Sequence, residues 1–245
     1  MKGGRSMAYQ SVFQRYELKY LLTPAQKKIV MEAAAPYLVP DEFGRTTIRN
    51  LYFDTDNYRL ARHSIGKPAY KEKLRIRSYR LAEPDSTVFV ELKKKYRQVV
   101  FKRRIPLPEE AAMQWVCEGL PCPVSTQISR EIDYFLGFYK SLCPKVFLSY
   151  EREAYYSKDS PDFRVTFDDS ILCRRDGLSL QDDVSGAPLL PEGRVLMEIK
   201  CSGGIPLWMT RVLSENHIYK TCFSKYGTAY EKLIFPQTKK ASNYA

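Results

Sequence analysis

The chain has 245 residues, 44% of them hydrophobic, which can supply a substantial core and excludes a disordered chain. Its net charge of +11 and pI of about 9.3 point to polyanionic partners: nucleic acid, anionic lipid or phosphorylated small molecules. No apolar run approaches the ~20 residues of a membrane span, and two histidines without a nucleophile-elbow pattern exclude a Ser-His-Asp hydrolase.

In chain order, residues 1–7 read as a leader and Phe13–Leu22 as the first strand, with Arg15, Glu17 and Lys19 on one face. Thr23-Pro24-Ala25-Gln26 opens a helix: Thr23 caps, Pro24 takes the first helical position and Gln26 closes a capping box. Pro36 ends that helix near Ala35. Thr46–Phe53 is a strand in which Thr47, Arg49 and Leu51 oppose Ile48, Asn50 and Tyr52; Asp54-Thr55-Asp56-Asn57 is a turn. Lys71–Tyr79, Thr87–Tyr96 and Val99–Leu107 follow as strands, the last two as a hairpin. Helices are expected over Pro108–Glu118 and Ser125–Leu142, the second with Ile128, Ile132, Phe135, Leu136 and Tyr139 at core spacing. Strands over Val146–Tyr155, Phe163–Asp168 and Arg194–Cys201 come next. A short helix over Ile205–Glu215 and a terminal one from Ser224 to about Phe235 complete a single domain over residues 8–236, and residues 237–245 read as a loose tail.

The most informative segment is Lys71-Glu72-Lys73-Leu74-Arg75-Ile76-Arg77. As a strand it places four cations on one face, roughly 7 Å apart. No apolar core can take such a face; it needs water or anions. The device recurs. Glu91, Lys93 and Lys95 share a face, as do Lys102 and Arg104, Tyr150 and Arg152, Arg164, Thr166 and Asp168, and Glu198 and Lys200. Charged faces could point outward from a sandwich or inward in a barrel. Cations dominate the aligned positions while single carboxylates recur among them: Glu17, Glu91, Asp168 and Glu198. That bias favours an inward-facing lining suited to a polyphosphate and its divalent metal.

These residues also carry a resemblance. Arg15-Tyr16-Glu17-Leu18-Lys19-Tyr20, Ile48 through Thr55, Lys73 through Tyr79, Val90-Glu91-Leu92-Lys93, Lys102-Arg103-Arg104, Tyr150-Glu151-Arg152, Arg164 through Asp168, Met197-Glu198-Ile199-Lys200 and Ser224-Lys225-Tyr226 occur in family order. The chain resembles the VTC domain, the polyphosphate-polymerase branch of the triphosphate tunnel metalloenzymes, in a stand-alone bacterial-type form. The resemblance implies an α+β fold: an eight-stranded antiparallel β-barrel, the tunnel, with helices packed outside. It also implies transfer of the terminal phosphoryl of ATP to a growing inorganic polyphosphate chain. By matching position, Lys19, Arg75, Arg77, Lys93 and Lys200 would serve catalysis. Arg49, Lys73, Lys102, Arg104, Arg152, Arg164 and Lys225 would bind phosphate. Glu198 would hold Mn²⁺ or Mg²⁺, and Glu17 and Glu91 would assist it or orient the lysines beside them. Relatives with a Glu-x-Glu-x-Lys opening carry an acid where this chain has Arg15, which weakens a hydrolase reading.

Phosphoryl transfer asks for in-line positioning and neutralised charge rather than covalent help. An attacking phosphate oxygen is already anionic, so no general base is required. Two rivals share the lining: a hydrolase of tripolyphosphate or a nucleoside triphosphate, and a non-catalytic polyphosphate-binding module. ATP and polyphosphate are the expected partners. Nucleic acid is not, because a barrel lumen excludes a duplex. A membrane-protein partner is compatible with a chain that spans no membrane itself. Asp54 and Asp56 are expected as turn formers, and Trp115 and Trp208 as packing residues. Gly203-Gly204 lacks the Lys-Ser/Thr of a P-loop. The six cysteines match no common zinc pattern and are expected as free thiols in the reducing cytoplasm.

Overall fold

Alternating strands assemble here into one large antiparallel sheet. The computed structural model describes residues 16–66, 68–97 and 99–236. The leader over 1–7, the tail over 237–245, and Phe13 to Arg15 of the first strand lie outside the described residues. The main path runs over eight strands in the order β1 (Tyr16–Leu22), β10 (Val195–Cys201), β8 (Arg164–Arg174), β7 (Cys143–Ser157), β3 (Thr46–Asp54), β4 (Tyr70–Ser78), β5 (Thr87–Tyr96), β6 (Val99–Pro108). Two short strands lie off it: β2 (Leu38–Pro40) pairs with β7, and β9 (Ala187–Pro188) with β8. Among the described residues no hydrogen-bonded ladder joins β1 to β6.

The helices follow local signals. α1 (Pro24–Ala34) begins with the expected capping box: Gln26 N–H donates to Thr23 Oγ1, and Thr23 N–H to Gln26 Oε1. α3 (Glu109–Glu118) is preceded by Pro108 and stops at Gly119, whose φ of 76° is the left-handed geometry glycine allows. α4 (Gln127–Tyr139) starts on a Thr126–Ser129 capping box and α5 (Leu207–Glu215) directly after Pro206. α2 (Arg59–Ile65) was not expected from sequence. Its first N–H, of Arg59, donates to Thr55 Oγ1 at 3.0 Å, and Asp54 takes the next two: Oδ1 accepts from Leu60 N–H at 2.8 Å and Oδ2 from Ala61 N–H at 2.9 Å. The expected turn at Asp54 is therefore also a cap set several residues back.

Each face of the sheet is covered differently. Outside β3–β6, Leu51, Leu74, Ile76, Val90 and Ile105 pack against Trp115 of α3 and Ile132 and Phe135 of α4. Outside β1, β10 and β8, Leu22, Val165, Phe167, Met197 and Ile199 pack against Val30 of α1 and Met209 of α5. Both tryptophans pack as expected: Trp115 Nε1 donates to Asp133 at 2.7 Å, and Trp208 stacks on Tyr37 with centroids 4.6 Å apart. All six cysteines are free thiols.

The opposite face is apolar only at one end. There Ile48, Tyr52, Val146, Leu148 and Leu196 are covered by α6 (Lys225–Ala229) and the π-helical turn Tyr230–Ile234 that continues it. Tyr226 stacks on Tyr52 with centroids 4.7 Å apart, and its hydroxyl donates to the buried Asp54 at 2.8 Å. One carboxylate thus ties α2 and α6 to the sheet.

Tyr226→Phe keeps the stack and removes that bond to a charged acceptor. It should lower stability by about 1.5–3 kcal/mol, read as a shift of the denaturant midpoint. An unchanged midpoint would show that Asp54 does not anchor α6.

Candidate functional site

In an antiparallel ladder, directly paired residues share a face. The register therefore sets cations from both halves of the sheet on one face, with the uncharged Ile48, Asn50 and Tyr52 of β3 between them. On β4 and β5, Arg75 pairs with Glu91, Lys73 with Lys93, and Lys71 with Lys95. On β5 and β6, Glu91 pairs with Arg104 and Lys93 with Lys102. On β1, β10 and β8, Lys19 pairs with Glu198, Glu17 with Lys200, Glu198 with Thr166, and Lys200 with Arg164. β7 adds Arg152 opposite Asp168.

The first cluster centres on Glu91, which is fully buried. Arg75 Nη2 lies 2.7 Å from its Oε2 and Lys102 Nζ 2.5 Å from Oε1. Arg104 at 3.6 Å and Arg77 at 3.9 Å complete the ring. Burial alone would raise the carboxyl pKa, but Lys102, Arg77 and Arg75 hold it well below the usual range. Burial also pulls Lys102 down to about 8, against Glu91 and helped by Arg77 and Arg75. Arg75 Nη1 donates to Tyr52 Oη at 2.9 Å, while Arg77 donates from Nε to Asn50 Oδ1 at 2.9 Å and from Nη2 to Tyr150 Oη at 3.0 Å. These contacts fix the planes of both guanidinium groups.

The second cluster centres on Asp168 and Glu198. Arg152 grips Asp168 with two bonds, Nε to Oδ1 at 2.6 Å and Nη2 to Oδ2 at 2.7 Å. Lys225, entering from the start of α6, bridges Asp168 at 2.5 Å and Glu198 at 3.1 Å. Lys200 at 3.3 Å, Lys19 at 3.4 Å and Arg152 at 3.6 Å also face Glu198. Burial opposes ionisation of Glu198, yet Lys225, Lys19 and Lys200 keep its pKa well below normal. Burial brings Lys200 down to about 7, with Glu198 opposing and Arg152 assisting. Thr166 Oγ1, between these groups, is buried without a hydrogen-bond partner.

Glu17 reaches from β1 to β5, where Lys93 Nζ bonds both its oxygens at 2.9 and 2.7 Å. Burial would raise its pKa, but Lys93 and then Lys200 and Lys19 bring it to about 2 despite Glu198. Further along the face the acids run out. Lys73 Nζ donates to Ser224 Oγ at 3.0 Å and Lys71 Nζ to the Ser64 carbonyl at 3.3 Å. Burial first, then Lys19, Lys93 and Lys71, push Lys73 well below its ordinary pKa. Among the described residues no carboxylate lies within 4.0 Å of the ammonium of Lys71, Lys73 or Lys95.

Most of the sequence-predicted residues therefore meet on this face: Lys19, Lys73, Arg75, Arg77, Lys93, Lys102, Arg104, Arg152, Lys200, Lys225, Glu17, Glu91 and Glu198. Arg164 lies on it as well, paired to Asp41 at 3.2 Å and 4.5 Å above the Tyr156 ring. Arg49 is the exception and corrects the sequence expectation. It pairs in register with Ser78 and Ser149, on the opposite face from Arg75 and Arg77, so it cannot share their ligand. Glu17, expected with Glu91 to assist the metal or to orient lysines, is bonded to Lys93, and Glu91 to Lys102 and Arg75. Among the described residues no group of three or more His, Cys, Asp or Glu side chains is placed to hold a metal ion. Arg15 lies outside the described residues. The sequence places Asp168 among the carboxylates of the lining and Tyr150 on the face of Arg152 without giving either a role; Asn50 and Tyr52 carry no signal that marks them as partners of the arginines.

The chain belongs to the VTC domain family, whose model matches residues 14–234. No curated protein matches it in sequence. Among solved structures it is similar to a putative adenylate cyclase from Bacillus halodurans, at 15% identity, TM-score 0.55, and coverage of 88% of this chain and 96% of that one. It is also similar to a putative adenylyl cyclase from Hippeastrum described as having a dominant triphosphatase activity. There the identity is 17%, the TM-score 0.54, and coverage 90% of this chain and 97% of the other. At these identities the likeness concerns the fold.

Glu91→Gln would leave four cations facing one another without their buried counter-charge. It should destabilise the protein by about 3–5 kcal/mol, and tripolyphosphate should raise the variant's Tm more than that of the wild type. Equal Tm shifts in the two proteins would show that Glu91 does not hold the place of a phosphate charge.

Proposed function

We propose that this chain is a metal-dependent polyphosphate polymerase. It transfers the γ-phosphoryl group of ATP to the end of a growing inorganic polyphosphate chain. The observation that carries the reading is the cationic face, where ordered arginines and lysines exceed their carboxylates and, among the described residues, Lys71, Lys73 and Lys95 lack any. A linear phosphate chain, with anionic oxygens on every phosphate, supplies the missing charge. Closure of the sheet into an eight-stranded tunnel belongs to the same proposal, supported by the Glu17–Lys93 ion pair between β1 and β5.

The step needs little of the protein beyond position and charge. A terminal phosphate oxygen of the acceptor attacks the γ-phosphorus. A new P–O bond forms as the bond to the β–γ bridging oxygen breaks, and ADP leaves with that electron pair. Arg75, Arg77, Lys102 and Arg152 would hold the equatorial oxygens; Lys19, Lys93 and Lys200 would steady the acceptor end. The attacking oxygen is anionic, so no base is consumed. This suits a site whose carboxylates are all held ionised by cations and are therefore weak bases.

Triphosphate tunnel enzymes generally use divalent metals. The residues fit one held jointly with substrate: Mg²⁺ takes one or two carboxylates and completes its shell with phosphates and water. Glu198, ionised and 7% exposed, would hold Mn²⁺ or Mg²⁺, with Asp168 beside it. Held there, the ion would supply neutralising charge to the phosphates while Lys225, Lys19 and Lys200 keep Glu198 ionised.

Incubation of the protein with ATP and Mn²⁺, followed by sizing of the products, should give ADP and a ladder of long anionic polymer. Orthophosphate without polymer would replace the polymerase by a hydrolase, and no loss of ATP would leave a binding module. Glu198→Ala should abolish turnover while tripolyphosphate binding survives; retained turnover would refute the metal role. Arg75→Ala should weaken binding itself, by about 1.5–3 kcal/mol for one charge-assisted contact, measured by calorimetry.

A further inference from the structure

A groove of about 610 Å³ opens beside α2 and is lined by Asn57, Arg59, Arg62 and His63, with no carboxylate among the described residues of the lining. Its donors are already held in place. The Arg59 guanidinium sits 5.8 Å from the Phe138 ring centroid and 5.3 Å from that of Tyr139. Arg62 Nη1 donates to the Asn57 carbonyl at 3.3 Å, and His63 Nε2 to the Tyr70 carbonyl at 2.9 Å. Side chains ordered beforehand lose less freedom on gripping a ligand.

The carboxylates nearby are engaged elsewhere. Asp54 accepts from the α2 backbone and Tyr226, Asp56 from Lys145 at 2.8 Å, and Glu72 from the hydroxyls of Tyr70 at 2.5 Å and Tyr139 at 2.7 Å. Among the described residues the groove is left as a cationic surface without its own counter-charge.

Its position gives the ligand. Lys71 closes the acid-free end of the cationic face, and its ammonium bonds the carbonyl of Ser64, the residue after His63. His63 in turn bonds the carbonyl of Tyr70, the residue before Lys71. Cationic side chains therefore continue from the inner lysines over the rim to the groove.

We propose that this groove is a second, external site for a phosphate chain, occupied by the stretch of polyphosphate that emerges past Lys71. The inference rests on the polyphosphate reading of the cationic face. Arginine forks match phosphate oxygens bidentately, and the Asn57 amide adds a donor. A short triphosphate fills the inner face and does not reach the groove. A long chain engages both sites, so the second contact is intramolecular and raises affinity without new inner contacts.

The test is calorimetric binding of tripolyphosphate and of long-chain polyphosphate, without nucleotide, to the full chain and to Arg62→Glu and Arg62→Gln. Arg62 is exposed and outside the core, so both variants should fold. Arg62→Glu should lose roughly tenfold in affinity for the long chain, Arg62→Gln less, and neither should change tripolyphosphate binding. No change for either ligand, or an equal fall for both, overturns the external site. If the wild type fails to bind tripolyphosphate while the long-chain contrast holds, the inner-face reading falls and the groove stands.

Discussion

Like charges crowded on one face of a sheet need opposite charges, water or anions set between them. That constraint organises this protein. Glu91 sits among Arg75, Arg77, Lys102 and Arg104, and Asp168 and Glu198 sit among Arg152, Lys200, Lys19 and Lys225. Each carboxylate is worth more as a separator of cations than as one half of a salt bridge, because removing it leaves several charges buried and unmatched. The acids also leave the face net positive, which is the property a polyanion site requires.

The rest of the architecture serves to keep those charges rigid. Tyr52, Tyr150 and Asn50 spend their polar atoms on Arg75 and Arg77. α6 carries Lys225 into the acid pair while Tyr226 stacks on Tyr52 and bonds Asp54. Asp54, placed just before α2, thereby couples the helix that bears the external groove to the helix that completes the inner site. The outer helices α1, α3, α4 and α5 supply the apolar burial that the cationic face cannot.

Much of this was legible in the sequence because strand alternation has a period of two and the cations obey it. Lys71 through Arg77, Glu91 with Lys93, and Glu198 with Lys200 fall on the face that alternation assigns them. The capping box of α1 and the core spacing of α4 were equally local signals. Alternation cannot say which face of one strand meets which face of the next. That is why Arg49 was grouped with Arg75 until the register set it opposite. α2 escaped notice because Tyr58, before its first residue, has a φ of 55° and its cap is Asp54, four residues earlier. β8 runs past the expected Asp168 because an irregularity at Ser170, with a φ of 48°, lets pairing with β7 resume beyond it. Tyrosines that orient arginines carry no sequence mark separating them from tyrosines that only pack.

The central claim is that the cationic face is one built site for a phosphate chain and not a generally basic surface. Calorimetric titration of the wild type with tripolyphosphate and with orthophosphate, across a range of salt concentrations, tests it most directly. The account predicts one site per chain, tripolyphosphate bound far more tightly than orthophosphate, and affinity that falls as salt screens the lining. Several weak sites that take both anions alike would contradict it.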